Sequence, residues 1–229
     1  MASSPISSPA PPDRLALFHR DVADSCALTR AEHRRLAELL VRASRSATAI
    51  DPLTSLYPEM TVADAGSVRD MAIAVRVAAG ELVVGAKVTH LDELRLGWLT
   101  DQIVHRDGAW IDRALKPETI NTRLAVRLLE PLDQPPRRLA DLLSRVSTPC
   151  ACSELVASSF GPSHADIRDV IADNCSTAAL LLNDGARVSA GSSRRGARSL
   201  LWLAQELFHY RERIEVDTLL VSRTLEEGM

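Results

Sequence analysis

The sequence predicts an α+β protein, in which helices come first along the chain and a mixture of strands and helices follows. One observation is an apolar stripe over residues 62–75, whose members recur at helical spacing before Gly80. The other is a series of short apolar runs of strand length, such as residues 82–84 and 216–221. With 46% hydrophobic residues among 229, the chain can bury a substantial core.

The chain divides into a short tail and one domain. Residues 1–12 are mostly Ser, Pro and Ala, lack the pattern of a signal peptide, and are predicted to be a disordered tail. Residues 13–229 contain no internal repeat and are predicted to form a single α+β domain.

Composition argues against several classes of protein. The formal net charge of −3 and the aromatic content of 3% give no reason to expect a nucleic-acid partner. No apolar run approaches the roughly 18 residues of a membrane-spanning helix. The four cysteines contain no CxxC pair, so we expect a reduced, cytoplasmic protein.

The first elements are helices with recognisable start signals. Residues 13–27 carry apolar side chains at helical spacing. Thr29 and Glu32 form a capping-box pattern, in which each side chain reaches the backbone amide of the other residue. Thr61 is predicted to be the N-cap of a later helix, with Asp64 at the third helical position near the positive end of the helix dipole.

Strands and helices are mixed after Gly80. The buried strand at 82–84 is followed by Gly85 and Lys87, and Asn183-Asp184-Gly185 predicts a turn. Further strands are predicted over 99–104, 122–129, 154–156, 180–182 and 216–221, and further helices over 139–146 and 197–208.

Three groups of motifs, spread over roughly residues 14–222, resemble the 2-oxo-4-pentenoate (2-hydroxypenta-2,4-dienoate) hydratase and 4-oxalocrotonate decarboxylase family of the fumarylacetoacetate hydrolase superfamily. The first group is Pro52-Leu53-Thr54, Tyr57-Pro58, Thr61-Val62-x-Asp64-Ala65 and Val84-Gly85-x-Lys87-Val88. The second is Val170–Ala178, which is similar to the family's "ADNASS" segment, and the third is the helix around Trp202 followed by Asp217–Ser222.

The resemblance implies N-terminal helices packed on a rolled, barrel-like mixed β core, here with some of the family's strands missing. It also implies a Mg²⁺ or Mn²⁺ site held by three carboxylates, because hard cations prefer oxygen ligands. Alignment places two of the ligand positions on Thr122 and Leu124 and the third on Glu154. The family's Asp and Arg that follow the third ligand become Ala157 and Ser159. With Glu154 as the one retained ligand-type residue, we expect no metal cofactor.

The resemblance also singles out candidate site residues. Lys87 is either the family's pocket lysine or a surface lysine at the end of a strand. Glu154 is either a residual ligand or acid/base group, or a carboxylate satisfied by hydrogen bonds. Asp173, Asn174 and Ser176 either bind substrate or serve as capping and turn residues. Metal binding by the histidines is not supported, because no HxH or HxxxH spacing occurs; they include His90, His105 and His164.

Two functional hypotheses follow. In the first, the chain is a divergent, non-catalytic or regulatory partner subunit, which forms a homo-oligomer or a hetero-oligomer with a full-length homologue. In the second, it is a hydratase or lyase acting on a 2-hydroxydienoic or small 2-oxo acid. That enzyme works without metal, uses Lys87 to hold the substrate and Glu154 to transfer a proton, and is recruited to a biosynthetic pathway. Neither hypothesis includes a nucleic-acid or membrane partner.

Overall fold

The computed structural model describes residues 26–90, 94–106, 108–109, 111, 117–160, 166–187, 194–211 and 213–224. Within these ranges the α-helices are α1 (Arg30–Ser46), α2 (Leu53–Leu56), α3 (Val62–Ala78), α4 (Leu139–Leu143), α5 (Ile167–Ala172) and α6 (Arg194–Arg211). The strands are β1 (Val83–His90), β2 (Leu94–Thr100), β3 (Val104–Arg106), β4 (Thr119–Arg127), β5 (Cys150–Val156), β6 (Thr177–Arg187) and β7 (Leu219–Thr224).

The strands form one mixed, seven-stranded sheet in the order β2-β1-β7-β4-β5-β6-β3. Strand β1 runs parallel to β7 and β3 runs parallel to β6, while the other neighbours are antiparallel. The two terminal strands, β2 and β3, follow each other in the chain across a short turn at residues 101–103. This connection brings the ends of the sheet together, and the predicted α+β class is confirmed as a half-barrel flanked by helices.

Three apolar clusters hold the layers together. One lies between the outer face of the sheet and α6, with Trp98, Leu124 and Leu203 among its buried members. A second, smaller cluster fills part of the inner face of the half-barrel, including Leu99 and Leu180. The third joins α1, α3 and α5 into a helical layer.

The predicted helix starts at Thr29 and Thr61 are confirmed. The backbone amide of Glu32 donates to Thr29 Oγ1 at 3.3 Å, and the amide of Thr29 donates to Glu32 Oε2 at 2.7 Å. At α3 the amide of Asp64 donates to Thr61 Oγ1 at 3.1 Å, while Asp64 accepts from the Thr61 amide at 2.8 Å. Both are reciprocal capping boxes.

Two local predictions are wrong. The chain does not run as one strand over 99–104, because it turns at 101–103 and Val104 then pairs with Leu180 of β6. No turn forms at Asn183-Asp184-Gly185, since β6 continues to Arg187, whose register partner is Cys150 of β5. The register with β5 shifts between Leu182 and Arg187, so residues 183–186 form an irregular part of the strand instead of a turn that ends it. Most of the helix predicted over 13–27 lies outside the described residues, as do the predicted tail and His164.

All four cysteines are reduced. Among the described helices, none combines the length and the apolar character needed to cross a lipid bilayer.

Candidate functional site

Lys87 lies inside the half-barrel and is completely buried. Strand β1 continues three residues beyond it to His90, so the surface position considered from the sequence is wrong. On the neighbouring strand the register partner of Lys87 is Gly97. A Cβ atom at that glycine would lie 2.9 Å from Lys87 Cε and 3.1 Å from the carbonyl oxygen of Asn174. Gly97 therefore leaves the space through which the lysine side chain passes.

Glu154, on β5, is the carboxylate that receives Lys87. It is also completely buried, and Lys87 Nζ donates to Glu154 Oε1. The same ammonium group donates to the carbonyl oxygen of Cys175 at 3.0 Å. The hydroxyl of Thr177 donates to Glu154 Oε1 at 2.9 Å. The two candidate catalytic residues are thus brought into direct contact.

Arg123, on β4, completes the group and was not singled out from the sequence. Its Nε donates to Glu154 Oε2 at 2.6 Å, and its Nη2 donates to Thr89 Oγ1 at 3.1 Å. Its Nη1 donates to the carbonyl oxygen of Val88 at 3.3 Å. We call Lys87, Arg123 and Glu154 the ion cluster.

The register of β4 explains why Arg123 was missed. The alignment drew attention to Thr122 and Leu124, but Asn121 is the register partner of Glu154. Side chains alternate along a strand, so Arg123 faces the same side as Asn121, while Leu124 packs in the core beneath α6. The signal for Arg123 was a charged residue at an alternate position of β4, on the same face as Asn121.

The ion cluster contains two positive side chains and one carboxylate. Burial by itself would raise the pKa of Glu154. The nearby charges and hydrogen bonds of Lys87 and Arg123 outweigh that effect and lower the pKa to about 2. Glu154 is therefore a carboxylate held ionised by its neighbours, with each oxygen in contact with a cation.

A strained turn lies next to the ion cluster, in the segment that resembles "ADNASS". Asn174, Cys175 and Ser176 have φ values of 51°, 56° and 54°, although none is glycine. Left-handed backbone costs roughly 1–2 kcal/mol per residue. The side chain of Asn174 holds the turn by accepting from the Trp98 amide at 2.7 Å and donating to the Trp98 carbonyl at 2.8 Å. Both ends of its carboxamide are thus occupied by β2.

Asp173 and Ser176 sit at the two ends of this turn and contact each other. Ser176 Oγ donates to Asp173 Oδ2 at 3.1 Å. The other partners of Asp173 belong to Ser159, whose amide and hydroxyl donate to it at 2.9 Å and 2.5 Å. Removal from water raises the pKa of Asp173 to about 6, because these hydrogen bonds only partly offset the burial. Ser159, where the family has arginine, is a second residue that sequence reasoning did not assign.

An open cleft with a volume of about 1090 Å³ lies between the helical layer and the ends of β2, β3, β5 and β6. We call it the Asp173 cleft; its polar lining includes Arg76, Glu81, Thr100, Glu118, Ser159, Asp173, Ser176 and Thr177. Lys87, Arg123 and Glu154 are not among its lining residues. Thr177 belongs to both places, since it lines the cleft and donates to Glu154.

A separate group of possible metal ligands occurs at the start of α1 and α3. Ligand atoms of Cys26, His33 and Asp64 lie within 4.8 Å of one another. Asp64, however, already accepts from the amides of Ala27 and Leu28, at 3.0 Å and 3.1 Å, in addition to the capping box. His33 Nε2 lies 2.7 Å from Asp64 Oδ1, the oxygen that also accepts from the Leu28 amide. The Asp64 carboxylate therefore links the N-terminus of α3 to the segment that precedes α1 and to His33 of α1.

Comparison with known proteins places this fold among solved structures. No family model matches the chain. A structure of 4-oxalocrotonate decarboxylase from Pseudomonas putida G7, complexed with magnesium and adipate, superimposes with a TM-score of 0.76 at 22% identity, covering 88% of this chain and 90% of that one. A second structure, complexed with calcium and acetate, gives a TM-score of 0.74 at 23% identity, covering 87% and 89%.

Curated relatives match over part of their length. A 2-hydroxyhexa-2,4-dienoate hydratase from Comamonas testosteroni is 31% identical over 150 residues, which are 60% of this chain and 57% of that hydratase. A 2-hydroxypent-2,4-dienoate hydratase from Pseudomonas putida is 27% identical over 164 residues, or 66% of this chain and 73% of the relative.

Proposed function

Because the chain belongs to the family of 2-hydroxydienoate hydratases and 4-oxalocrotonate decarboxylases, we propose that it is a metal-free, non-catalytic subunit of that family. In this proposal it retains the fold and assembles with a catalytic homologue or with copies of itself. The observation that carries the proposal is the ion cluster, in which Lys87 and Arg123 both bind the carboxylate of Glu154.

The donor set around Glu154 does not fit a divalent metal ion. Mg²⁺ and Mn²⁺ prefer several oxygen ligands, carboxylates above all. A divalent ion at Glu154 would lie beside the positive charges of Lys87 and Arg123 in a buried environment, where repulsion between charges is weakly screened. Strand β4, Thr119–Arg127, contains no Asp or Glu, so neither of its faces can supply the further carboxylates.

Access of a substrate to the ion cluster is also closed among the described residues. The side chains of Lys87 and Glu154 are 0% exposed, and that of Arg123 is 4% exposed. A substrate acid that paired with Lys87 would have to break a buried ion pair, which costs roughly 3–5 kcal/mol when one partner is left alone. This burial supports a structural role for the three residues.

A metal-independent hydratase or lyase acting on a 2-hydroxydienoic or 2-oxo acid is the second candidate. Thr177 favours it, because its hydroxyl joins Glu154 to the Asp173 cleft and offers a path for a proton between them. Lys87 and Glu154 would have to separate in each turnover for this enzyme to work.

The two candidates are separated by assaying the purified chain with 2-hydroxypenta-2,4-dienoate, with and without Mg²⁺ or Mn²⁺, and by measuring Mn²⁺ binding by electron paramagnetic resonance. We expect no turnover and no bound Mn²⁺. Metal-dependent turnover would overturn the proposal. Metal-free turnover that is lost in Glu154→Gln, with the fold retained by circular dichroism, would establish the second candidate.

The subunit role is tested by co-expression with a full-length homologue from the same genome, followed by size-exclusion chromatography. We expect the chain to elute as an oligomer, with that homologue or with itself. A chain that stays monomeric in both preparations contradicts the assembly, whatever the activity assay gives.

A further inference from the structure

The side chains of Cys26, His33 and Asp64 form a compact group of three different metal ligands, which we call the Cys26 site. Their ligand atoms all lie within 4.8 Å of one another, and no other group of three such side chains meets this limit among the described residues. They come from the segment before α1, the start of α1 and the start of α3. Because the three residues are scattered along the sequence, no short metal-binding motif contains them.

The donor set of the Cys26 site matches the preferences of zinc. A thiolate sulfur, an imidazole nitrogen and a carboxylate oxygen are the side-chain ligands that Zn²⁺ takes in proteins, whereas Mg²⁺, Ca²⁺ and Mn²⁺ prefer oxygen ligands. Zinc bond lengths of about 2.0–2.3 Å place the ligand atoms of a tetrahedral site roughly 3.3–3.7 Å apart. The ligand atoms therefore need to move by only about 1 Å to reach that spacing.

The hydrogen bonds of Asp64 leave room for a metal ion on one of its two oxygens. Oδ2 accepts from the amides of Ala27 and Thr61, at 3.0 Å and 2.8 Å. Oδ1 accepts from the Leu28 amide at 3.1 Å and lies 2.7 Å from His33 Nε2. A zinc ion bound to both Nε2 and Oδ1 would replace only the contact between those two atoms. The backbone donors to the carboxylate would stay in place.

Burial fixes two of the ligands, and the third gives access from solvent. Asp64 is 0% exposed and His33 is 5% exposed. Cys26 is half-buried, and its sulfur lies 3.9 Å from Ser67 Oγ, a weak contact that a metal ion can replace. A water molecule can fill the fourth position on this side. Burial by itself would raise the pKa of Asp64, but hydrogen bonds from its neighbours hold it well below its ordinary value, so the carboxylate is charged.

From this arrangement we propose that the Cys26 site binds one Zn²⁺ ion through Cys26 Sγ, His33 Nε2 and Asp64 Oδ1, and that the ion fastens the segment before α1 to the helical layer. Binding releases the thiol proton of Cys26 to solvent and leaves the proton of the neutral His33 ring on Nδ1. The site lies apart from the ion cluster, where the proposed function places no metal. The inference therefore holds whether or not the chain is an enzyme, and the Mn²⁺ measurement tests the ion cluster separately.

The first test replaces zinc with Co²⁺, whose absorption spectrum reports on its ligands. The full chain, purified without an affinity tag and freed of metal by a chelator, is titrated with Co²⁺ under reducing conditions. We expect one ion per chain, a thiolate-to-cobalt charge-transfer band in the near ultraviolet, and strong visible bands typical of a tetrahedral site. One equivalent of Zn²⁺ should abolish these bands. Absence of binding, or binding without the charge-transfer band, would overturn the proposal.

The second test identifies the thiolate. Cys26→Ser should remove the charge-transfer band and weaken zinc binding at least about tenfold, since a hydroxyl is a much poorer zinc ligand than a thiolate. Cys150→Ser is the matched control, because Cys150 is also half-buried but lies in β5, away from the site. It should leave the spectrum unchanged. A band that persists in Cys26→Ser, or that disappears in Cys150→Ser, would contradict the assignment.

The third test measures what zinc does to the stability of the fold. His33→Gln keeps an amide that can donate to Asp64, but it removes the imidazole ligand. Zinc at about a hundred times the dissociation constant should raise the melting temperature of the wild type by about 5 °C. The same zinc concentration should leave Cys26→Ser and His33→Gln nearly unchanged. Equal rises in the wild type and in both variants would show that the ion binds elsewhere and would refute the proposal.

Discussion

Arg123 donates from Nε to Oε2 of Glu154 at 2.6 Å, across two neighbouring strands and inside the half-barrel. Lys87 occupies the other oxygen of the same carboxylate. The pair places a permanent positive charge beside a buried carboxylate. The contribution of this contact to the stability of the fold can be measured by mutagenesis.

Arg123→Met is expected to destabilise the folded protein by about 3–5 kcal/mol, because it removes one cation from a buried carboxylate and the four hydrogen bonds that the guanidinium donates. The measurement is the free energy of unfolding from urea titration. The control is Arg42→Met on the exposed face of α1, which should change that free energy by less than about 0.5 kcal/mol. A loss at Arg123 no larger than at Arg42 would contradict the assignment of a buried ion cluster.

Gly97→Ala is expected to cost about 1–3 kcal/mol, since the added methyl group would lie 2.9 Å from Lys87 Cε and the strand or the lysine must move. Gly66→Ala in α3 is the matched control, because no atom lies within 4 Å of its Cβ position. Alanine is the better helix former there and should add about 0.5–1 kcal/mol. Similar effects at the two glycines would show that Lys87 does not occupy the space described.

Asp64→Asn is expected to lower the free energy of unfolding by about 3 kcal/mol, because the amide group cannot accept all the bonds that the carboxylate receives from Thr61, Ala27 and Leu28. Asp141→Asn makes the same change in the exposed capping box of α4, and its loss should stay below about 1 kcal/mol. Chemical unfolding of both variants decides between a buried and an ordinary helix cap.

Because of Asp173, the free energy of unfolding should fall as the pH rises through about 6. Its pKa in the folded protein is about 6, above the ordinary value of 3.8, so the folded state holds the proton more tightly than the unfolded chain. The resulting stabilisation is complete below about pH 4 and is lost by about pH 7. Urea midpoints of the wild type and of Asp173→Asn should diverge over that interval. Parallel curves, like those expected for the exposed Asp51→Asn, would be the contrary result.

Helix starts were predictable from the sequence because their signals are local. The capping boxes at Thr29 and Thr61 each depend on a partner three residues away, and both form as expected. Strand limits depend on neighbours that are distant in sequence. Asn183-Asp184-Gly185 has the composition of a turn, but β6 continues past it to Arg187 with a shift in its register against β5.

The members of the ion cluster were identified only in part from the sequence. Lys87 and Glu154 were chosen from the family resemblance, and the structure brings them into contact. Arg123 was overlooked because a shift of one residue along a strand changes the face on which a side chain lies. The sequence gives no register for β4 against β5, and the register is what turns Arg123 toward Glu154.

The contact of Asn174 with Trp98 has a consequence for how this chain can assemble. Strand β2 is a terminal strand of the sheet, and free backbone groups at such an edge invite a strand from another molecule, which leads to aggregation. Asn174 occupies both the amide and the carbonyl of Trp98, and Arg69 donates to the carbonyl oxygen of Leu96 at 2.8 Å. These side chains act as a substitute strand. A strand from another molecule is therefore excluded from pairing with residues 96–98.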